Sequence, residues 1–240
     1  MSRLIKSQLP TDTVYADFAG IKHHDTPSLV TVNVQDLYTQ VKGFTHNLPY
    51  SVSVPDFSAN DITVGADGVY EIGFSISMEV AGVKATIVVE AFQLDLVYMT
   101  PITGITKANP GVVTAAGHGL ANGDKVHIHS VTGMTEINDQ LYKVANKADN
   151  TFELTNQEDV DVNTGGYGAY TGPSGYAGLA EEAGTEIYGD FPNGSILPAA
   201  SAMAFFQGQV GHEIELFIKN MSNTNNPTVY SASLAIRRVG

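Results

Sequence analysis

The chain has no cysteine and no tryptophan among its 240 residues. Without cysteine it forms no disulfide, holds no metal through thiolate and has no cysteine nucleophile, and its redox compartment is not constrained. Basic residues are also few, because 12 Lys and Arg against 25 Asp and Glu give a net charge of −13. Phosphate binding needs clustered positive charge, so nucleic acid is not expected as a partner.

Long apolar runs are missing as well. The longest mostly apolar run, residues 196–206, is too short to cross a bilayer and is interrupted by Pro198. Residues 1–10 lack the apolar stretch of a signal peptide. We therefore expect no membrane association and synthesis in the cytoplasm.

Motifs that carry catalysis are absent too. The sequence contains no Gly-x-Ser-x-Gly elbow and no phosphate-binding loop. Paired carboxylates for glycoside cleavage are available in so acidic a chain, but no aromatic-rich cleft pattern accompanies them. The prediction is a protein that is not an enzyme, with no catalytic residue, no cofactor and no metal ligand.

The clearest pattern that is present is a strict alternation of apolar and polar residues after the Asp67-Gly68 turn signal. A period of two predicts a β-strand with one buried face. Burial contributes about 1.5–3 kcal/mol per large apolar side chain, whereas ordering the backbone costs about 1–2 kcal/mol per residue. The strand therefore needs a second sheet packed against it. The inward residues are Ile72, Phe74, Ile76, Met78 and Val80.

Changes in residue composition along the chain divide it into blocks. Residues 102–172 are dense in Gly, Asn, Thr and Asp and contain short strand patterns separated by turn clusters, which is typical of a small antiparallel barrel. The blocks on either side, 12–101 and 173–240, each have too few strands for a sandwich and together have enough. We predict one β-sandwich interrupted by a small barrel, preceded by an arm at residues 1–11.

Three further stretches each have a separate prediction of local structure. Residues 34–41 have helical spacing but lie among strand-forming residues, so a single helical turn and a bulged strand are both open. Residues 83–98 are apolar on both faces, which predicts a cover by another subunit or a loop. Residues 179–198 have a loop-like composition.

Two motifs in the flanking blocks indicate a family. Gly68-Val69-Tyr70 opens the alternating strand, and residues 233–239 end the chain with a Leu-x-Ile-x-Arg pattern. In both features the chain resembles the jelly-roll domains of the tumour-necrosis-factor and complement-collagen type, over residues 12–100 and 176–240. His212 stands where that family has Asp, so one turn departs from the pattern. The resemblance implies a jelly-roll sandwich and a symmetric homotrimer.

The inserted segment carries a second resemblance. Residues 112–126, followed by Val131-Thr132-Gly133-Met134 and by residues 150–154, are similar to the FCCH domain of ubiquitin-activating enzymes. Copies of this module recur in virion proteins of tailed bacteriophages. Ubiquitin chemistry is not implied, because the chain has no cysteine to form a thioester.

The resemblances suggest some functional residues. Tyr70, Phe217 and Tyr230 lie at strand positions that approach the three-fold axis in the jelly-roll family, although core packing explains each of them equally well. Arg3 and Lys6 make the terminal arm basic and are candidates for contact with a capsid; a frayed terminus is the alternative.

Metal sites are a weaker possibility. His127 and His129 lie two residues apart on a strand and could share an ion, with His118 in a nearby turn; a loop-ordering role is favoured for His118. The acidic stretch Glu158, Asp159 and Asp161 could hold calcium but lacks the full loop motif, so a solvated loop is favoured.

Together the two resemblances point to a phage virion structural protein, made in the host cytoplasm and located in the virion. The leading interpretation is a trimeric capsid decoration or cement protein, with the major capsid protein or other virion proteins as partners. Receptor-binding tips usually follow a long shaft, whereas here the jelly roll begins near Met1. The alternative is a tail or baseplate component that binds host-surface glycan through the inserted barrel. A polysaccharide-cleaving enzyme is a third and less favoured class.

Overall fold

The computed structural model of the chain describes residues 18–23, 27–48, 52–82, 84–95, 99–192 and 196–240. Regular structure in these ranges is β-strand apart from a short 3-10 turn at Thr135–Ile137. The strands are β1 (Phe18–His23), β2 (Ser28–Leu29), β3 (Tyr38–Gln40), β4 (His46–Asn47), β5 (Val54–Asp56), β6 (Asp61–Thr63), β7 (Gly68–Val80), β8 (Ala85–Leu94), β9 (Thr100–Pro101), β10 (Gly104–Ile105), β11 (Val112–Thr114), β12 (Lys125–His129), β13 (Gln140–Ala145), β14 (Thr151–Thr155), β15 (Tyr176–Phe191), β16 (Ile196–Gly208), β17 (Glu213–Asn220) and β18 (Pro227–Arg238).

One layer of the sandwich is a six-stranded sheet built around β7. Its strands follow the order β16-β7-β18-β1-β4, with β2 paired to β18. The alternation predicted for β7 is confirmed, because every second residue from Tyr70 to Val80 is buried and the residues between them are half-buried. The β7 side chains therefore point alternately into the sandwich and out of it.

The second layer belongs to a twelve-stranded sheet, in which β15, β8, β17, β6 and β5 follow one another. One hydrophobic core lies between this part of the sheet and the six-stranded sheet, and its members come from residues 19–91 and 183–236. The two flanking blocks of the sequence thus close on a shared core. The all-β class, with a jelly-roll sandwich interrupted by a small barrel, is confirmed.

The rest of the twelve-stranded sheet curls into a closed six-stranded antiparallel barrel. Around the barrel, β10 pairs with β11, then β14, β13, β12 and the start of β15 follow in order. β15 also pairs with β9, which runs directly into β10, so that no edge is left open. The barrel has its own core, which includes Ile102, Phe152 and Tyr142.

β15 corrects the expectation of a loop at residues 179–198. Tyr176–Ala180 pair with β12 of the barrel, and the rest of the strand pairs with β8 of the sandwich. A register shift between Glu182 and Glu186 inserts two extra residues into the strand around Gly184, which has φ 76°. The strand is rich in Gly, Ala and Glu, which are weak strand formers, so its composition hides it from sequence inspection. β15 is the strand that links the two cores.

The other open stretches are now settled where the structure describes them. Residues 34–36 form a turn that leads into β3, so no helix forms there. The outer face of β8 is covered from within the chain, because Val88 and Phe92 pack with Tyr38 of β3 and with Leu141 of the barrel. The prediction was another subunit or a loop, whereas the side chains that cover this face come from a strand and from the inserted barrel.

Some predictions fall outside the described residues. The arm at residues 1–11, with Arg3 and Lys6, is one of them. The proposed boundaries of the inserted segment remain a prediction, because β15 serves both the barrel and the sandwich. Among the described residues, no helix is long and apolar enough to span a bilayer.

Candidate functional site

A cavity of about 360 Å³ lies where the barrel meets the outer face of the sandwich. One part of its lining comes from β6 and β17 of the sandwich, and another part comes from β12 of the barrel and from Asp139, the residue before β13. Most of the lining is polar. It consists of Gln40, Lys42, Ser58, Ala59, Asn60, Asp61, His127, His129, Ser130, Asp139, Glu213 and Glu215.

Strand register brings three carboxylates together in this cavity. Glu215 of β17 lies directly opposite Asp61 of β6, and Glu213 lies two residues earlier on the same face of β17. One carboxylate oxygen from each residue lies within 4.8 Å of the other two. Like charges in direct cross-strand register destabilise a sheet, so this arrangement needs compensation from a bound proton or a cation.

Burial dominates the electrostatics of the three acids. It raises the pKa of Asp61 to about 8, with Glu213 and Asp56 adding to the effect. Burial and the nearby Asp56 raise the pKa of Glu213 to about 7. The pKa of Glu215 is also raised, first by burial and then by its two acidic neighbours. All three groups are therefore poised to hold a proton or to bind a positive partner.

The barrel wall presents two histidines. The rings of His127 and His129 stack with their centroids 5.5 Å apart, which confirms that they share a face of β12. His129 is engaged by Ser130 and by the Met99 sulfur. Neither ring nitrogen of His127 has a hydrogen-bond partner among the described residues, although the residue is only 4% exposed. Burial, with smaller effects of His129 and Lys42, lowers the pKa of His127 to about 3, so the ring is neutral.

An ion pair and a hydrogen-bonded turn hold the residues at the rim of the cavity in position. Lys42 forms an ion pair with Asp139, the residue before β13. Asp56 accepts hydrogen bonds from the Ser58 and Ala59 backbone amides, which closes the turn between β5 and β6. The side chain of Asn60 fastens that turn to the backbone amide of Gly43. Asp61 is consequently held in place by local turn chemistry as well as by sheet pairing.

The three residues suggested for a trimer interface lie in different environments. Tyr70 is fully buried, and its hydroxyl donates to the Ala66 carbonyl at 2.8 Å. Phe217 is also fully buried and packs edge-on against Phe92. Both side chains lie in the interior of the single chain, which agrees with the alternative that they pack in its core. Tyr230 is 37% exposed and donates to Glu79 at 2.5 Å, so its interface role stays a prediction.

The other residues singled out as possible metal ligands form contacts within the barrel. His118 orders its turn as expected, because its Nδ1 accepts from the Leu120 amide and its Nε2 bonds the Ala148 carbonyl at 2.9 Å. In the acidic loop, Asp159 pairs with Lys143 at 2.6 Å. Among the described residues, the one cluster with metal-ligand spacing is the trio in the cavity, not this loop.

The carboxylate trio was missed from sequence for a physical reason. The alternation in β17 already placed Glu213 and Glu215 on one face, opposite the apolar residues of the sandwich core. A polar face is normally read as solvated. Only the docking of the barrel, encoded in a distant part of the chain, buries that face and turns it into one wall of a cavity.

Known proteins match this chain in part. Residues 108–177, less than a third of the sequence, match the family described as the ubiquitin-activating enzyme E1 FCCH domain. The match confirms the FCCH-like character predicted for the inserted segment. A solved structure described as Eiger TNF from S. frugiperda is similar with a TM-score of 0.37 and 8% identity, over 93% of this chain and 94% of that chain. No curated protein matches the chain.

Proposed function

We propose that this protein is a structural component of a tailed-bacteriophage virion, a trimeric capsid decoration or cement protein attached to the head shell. The FCCH-like segment at residues 108–177 supports the proposal through the resemblance described above, which links this module to virion proteins of tailed bacteriophages. Its insertion into a jelly-roll sandwich supports it further, since the jelly roll resembles domains that form symmetric trimers. The observation that carries the proposal is an exposed apolar strand at the edge of the six-stranded sheet.

That strand is β16. Within the described part of the chain it pairs with β7 alone, so its other backbone edge is open. Met203 and Phe205 point outward from it and are 67% and 64% exposed. A long apolar edge strand invites pairing with another chain unless it is protected. We take its partner to be a second copy of this protein.

The neighbouring surface fits such a partner. Gly73 of β7 lies between Met203 of β16 and Ala235 of β18 in register, so a groove of small residues runs beside the ridge of Met203 and Phe205. A ridge on one copy can enter the groove of the next, and a head-to-tail contact of this kind closes a ring when the rotation allows it. The ion pair between Arg237 and Glu71, at 2.5 Å, borders the groove.

The first experiment measures the mass of the full chain in solution by light scattering. The proposal expects a trimer, and Phe205→Glu is expected to give monomers because it places a charge on the ridge. Val160→Glu is the control, since Val160 is a comparably exposed valine (59%) in a barrel loop. A stable wild-type monomer at micromolar concentration would contradict the assembly.

The second experiment locates the protein by antibody labelling of intact virions. Signal on the head supports the decoration role. Signal on the tail would instead favour the tail or baseplate component that binds host glycan, and binding of the protein to a glycan array would then test that function. Deleting residues 1–11 is expected to weaken attachment to the shell if Arg3 and Lys6 contact the capsid protein.

A further inference from the structure

We infer that the cavity between the sandwich and the barrel is a calcium site, with Asp61, Glu213 and Glu215 as direct ligands and His127 facing the ion from the barrel side. The site lies away from the β16 edge and does not depend on the proposed assembly. It would connect the two cores of the protein through one ion.

The spacing of the carboxylates suits calcium. Calcium–oxygen distances of about 2.3–2.6 Å allow oxygens on opposite sides of one ion to lie about 4.6–5.2 Å apart. One carboxylate oxygen from each residue lies within 4.8 Å of the other two, so an ion at their centre would lie no more than about 2.8 Å from each, and a small side-chain adjustment would bring all three to calcium distance. Magnesium–oxygen distances of about 2.0–2.1 Å require a tighter octahedral arrangement.

Two unpartnered groups point to a ligand, and one of them, His127, lies outside the acidic cluster. His127 lines the cavity, is 4% exposed, and has no hydrogen-bond partner for either ring nitrogen among the described residues. The Oε2 atom of Glu215 is likewise buried and unpartnered, although Gln40 hydrogen-bonds the same side chain. Buried polar atoms without partners are rare and call for an unseen water or ion. A calcium ion would bond the Glu215 oxygen, and a water bound to that ion would donate to the neutral imidazole.

The local charge balance also calls for a cation. Asp56 and Asp139 lie near the trio and add negative potential. The one lysine that lines the cavity, Lys42, forms an ion pair with Asp139. A divalent ion would neutralise most of the remaining charge in a site where burial makes uncompensated charge costly.

The volume of the cavity fits an ion that keeps several bound waters rather than an ion enclosed by protein ligands alone. The cavity, at about 360 Å³, exceeds what three carboxylates and one bare ion fill. Calcium takes six to eight oxygen ligands, and waters commonly complete its shell. The three sandwich acids would hold the ion, and its waters would reach His127 across the junction.

The test is the thermal midpoint of the full chain with calcium and with chelator. Calcium at about 100 times its dissociation constant is expected to raise the midpoint by roughly 5–10 °C. The double variant Asp61→Asn/Glu215→Gln keeps the side-chain shapes, and it is expected to fold without calcium at least as stably as the wild type, because two buried carboxyls become neutral. Its calcium-induced shift is expected to vanish.

Asp161→Asn in the acidic loop is the matched control, and it should keep the full shift. Titration calorimetry should give one calcium per chain for the wild type and the control, and none for the double variant. Glu213→Gln provides a second variant with a weakened response. The inference is overturned if millimolar calcium produces neither heat nor a shift, if the double variant keeps the shift, or if magnesium stabilises the protein more than calcium does.

Discussion

The two faces of the β8–β17 strand pair are both buried, yet they are built from different chemistry. The face toward the sandwich core carries apolar side chains along most of its length, among them Ile87, Val89 and Leu216, with the uncharged Gln93 and Asn220 near its ends. The face toward the barrel mixes aromatic residues with Glu90 and Glu215, each 4% exposed. The first face follows the hydrophobic rule for a core, whereas the second keeps acids that burial penalises. Stability alone does not explain why acids are buried on that second face, at the junction with the barrel.

The largest effect should come from the sandwich face. Leu216→Ala removes a fully buried side chain from the shared core, and we expect it to lower the free energy of unfolding by about 2–5 kcal/mol. Urea denaturation at one protein concentration measures this. Val160→Ala, at an exposed site, should change little. A loss below about 1 kcal/mol for Leu216→Ala would mean that this face tolerates cavities and that the contrast between the faces is weaker than described.

On the barrel face the main effect should come from a lost hydrogen bond. The Tyr38 hydroxyl donates to Glu90 at 2.6 Å in a buried setting. Tyr38→Phe keeps the ring against Phe92 but leaves the carboxyl without this donor, which should cost about 1–3 kcal/mol. The double variant Tyr38→Phe/Glu90→Leu should recover part of that loss, because no buried acid remains. If Tyr38→Phe is neutral, the pair does not hold the barrel face together.

The difference between the faces also explains how far the sequence could predict the fold. The strict alternation of β7 predicted its buried set correctly, because one period ran unbroken from Tyr70 to Val80. β15 escaped prediction because two extra residues interrupt its pairing around Gly184 and its sequence is rich in Gly, Ala and Glu, which are poor strand formers. The carboxylate trio escaped because Asp61 and Glu215 lie far apart in sequence and are paired only by the tertiary fold. The alternation of residues along the sequence predicts where strands form, but not which other part of the chain packs on their polar face.

A smaller effect is expected in the pH dependence of stability. Burial, opposed by the hydrogen bond from Tyr38, raises the pKa of Glu90 from 4.5 to about 7. The folded state then holds the proton more tightly than the unfolded state, so the stabilisation from this group is complete below about pH 4.5 and is lost as the pH rises through about 7.

Glu90→Gln should remove that dependence. Relative to the wild type, the variant should gain stability on the order of 1 kcal/mol between pH 5 and pH 8. Denaturant midpoints of both proteins across this range, compared as differences, isolate Glu90 from the other titrating groups. Parallel curves would show that the carboxyl titrates in the folded state as it does in the unfolded chain, and that the barrel face does not perturb it.

The smallest effect should come from an acid outside the junction. Asp159 pairs with Lys143, but 72% of its side chain is exposed, and exposed ion pairs contribute about 0–1 kcal/mol. Asp159→Asn should therefore leave the urea midpoint nearly unchanged, and added salt should reduce even that difference. A loss as large as that of Tyr38→Phe would contradict the contrast on which the other predictions rest, because it would mean that an exposed carboxylate matters as much as a buried one. A negligible loss would show that burial at the junction, rather than the presence of an acid, is what makes the carboxyls of the barrel face energetically important.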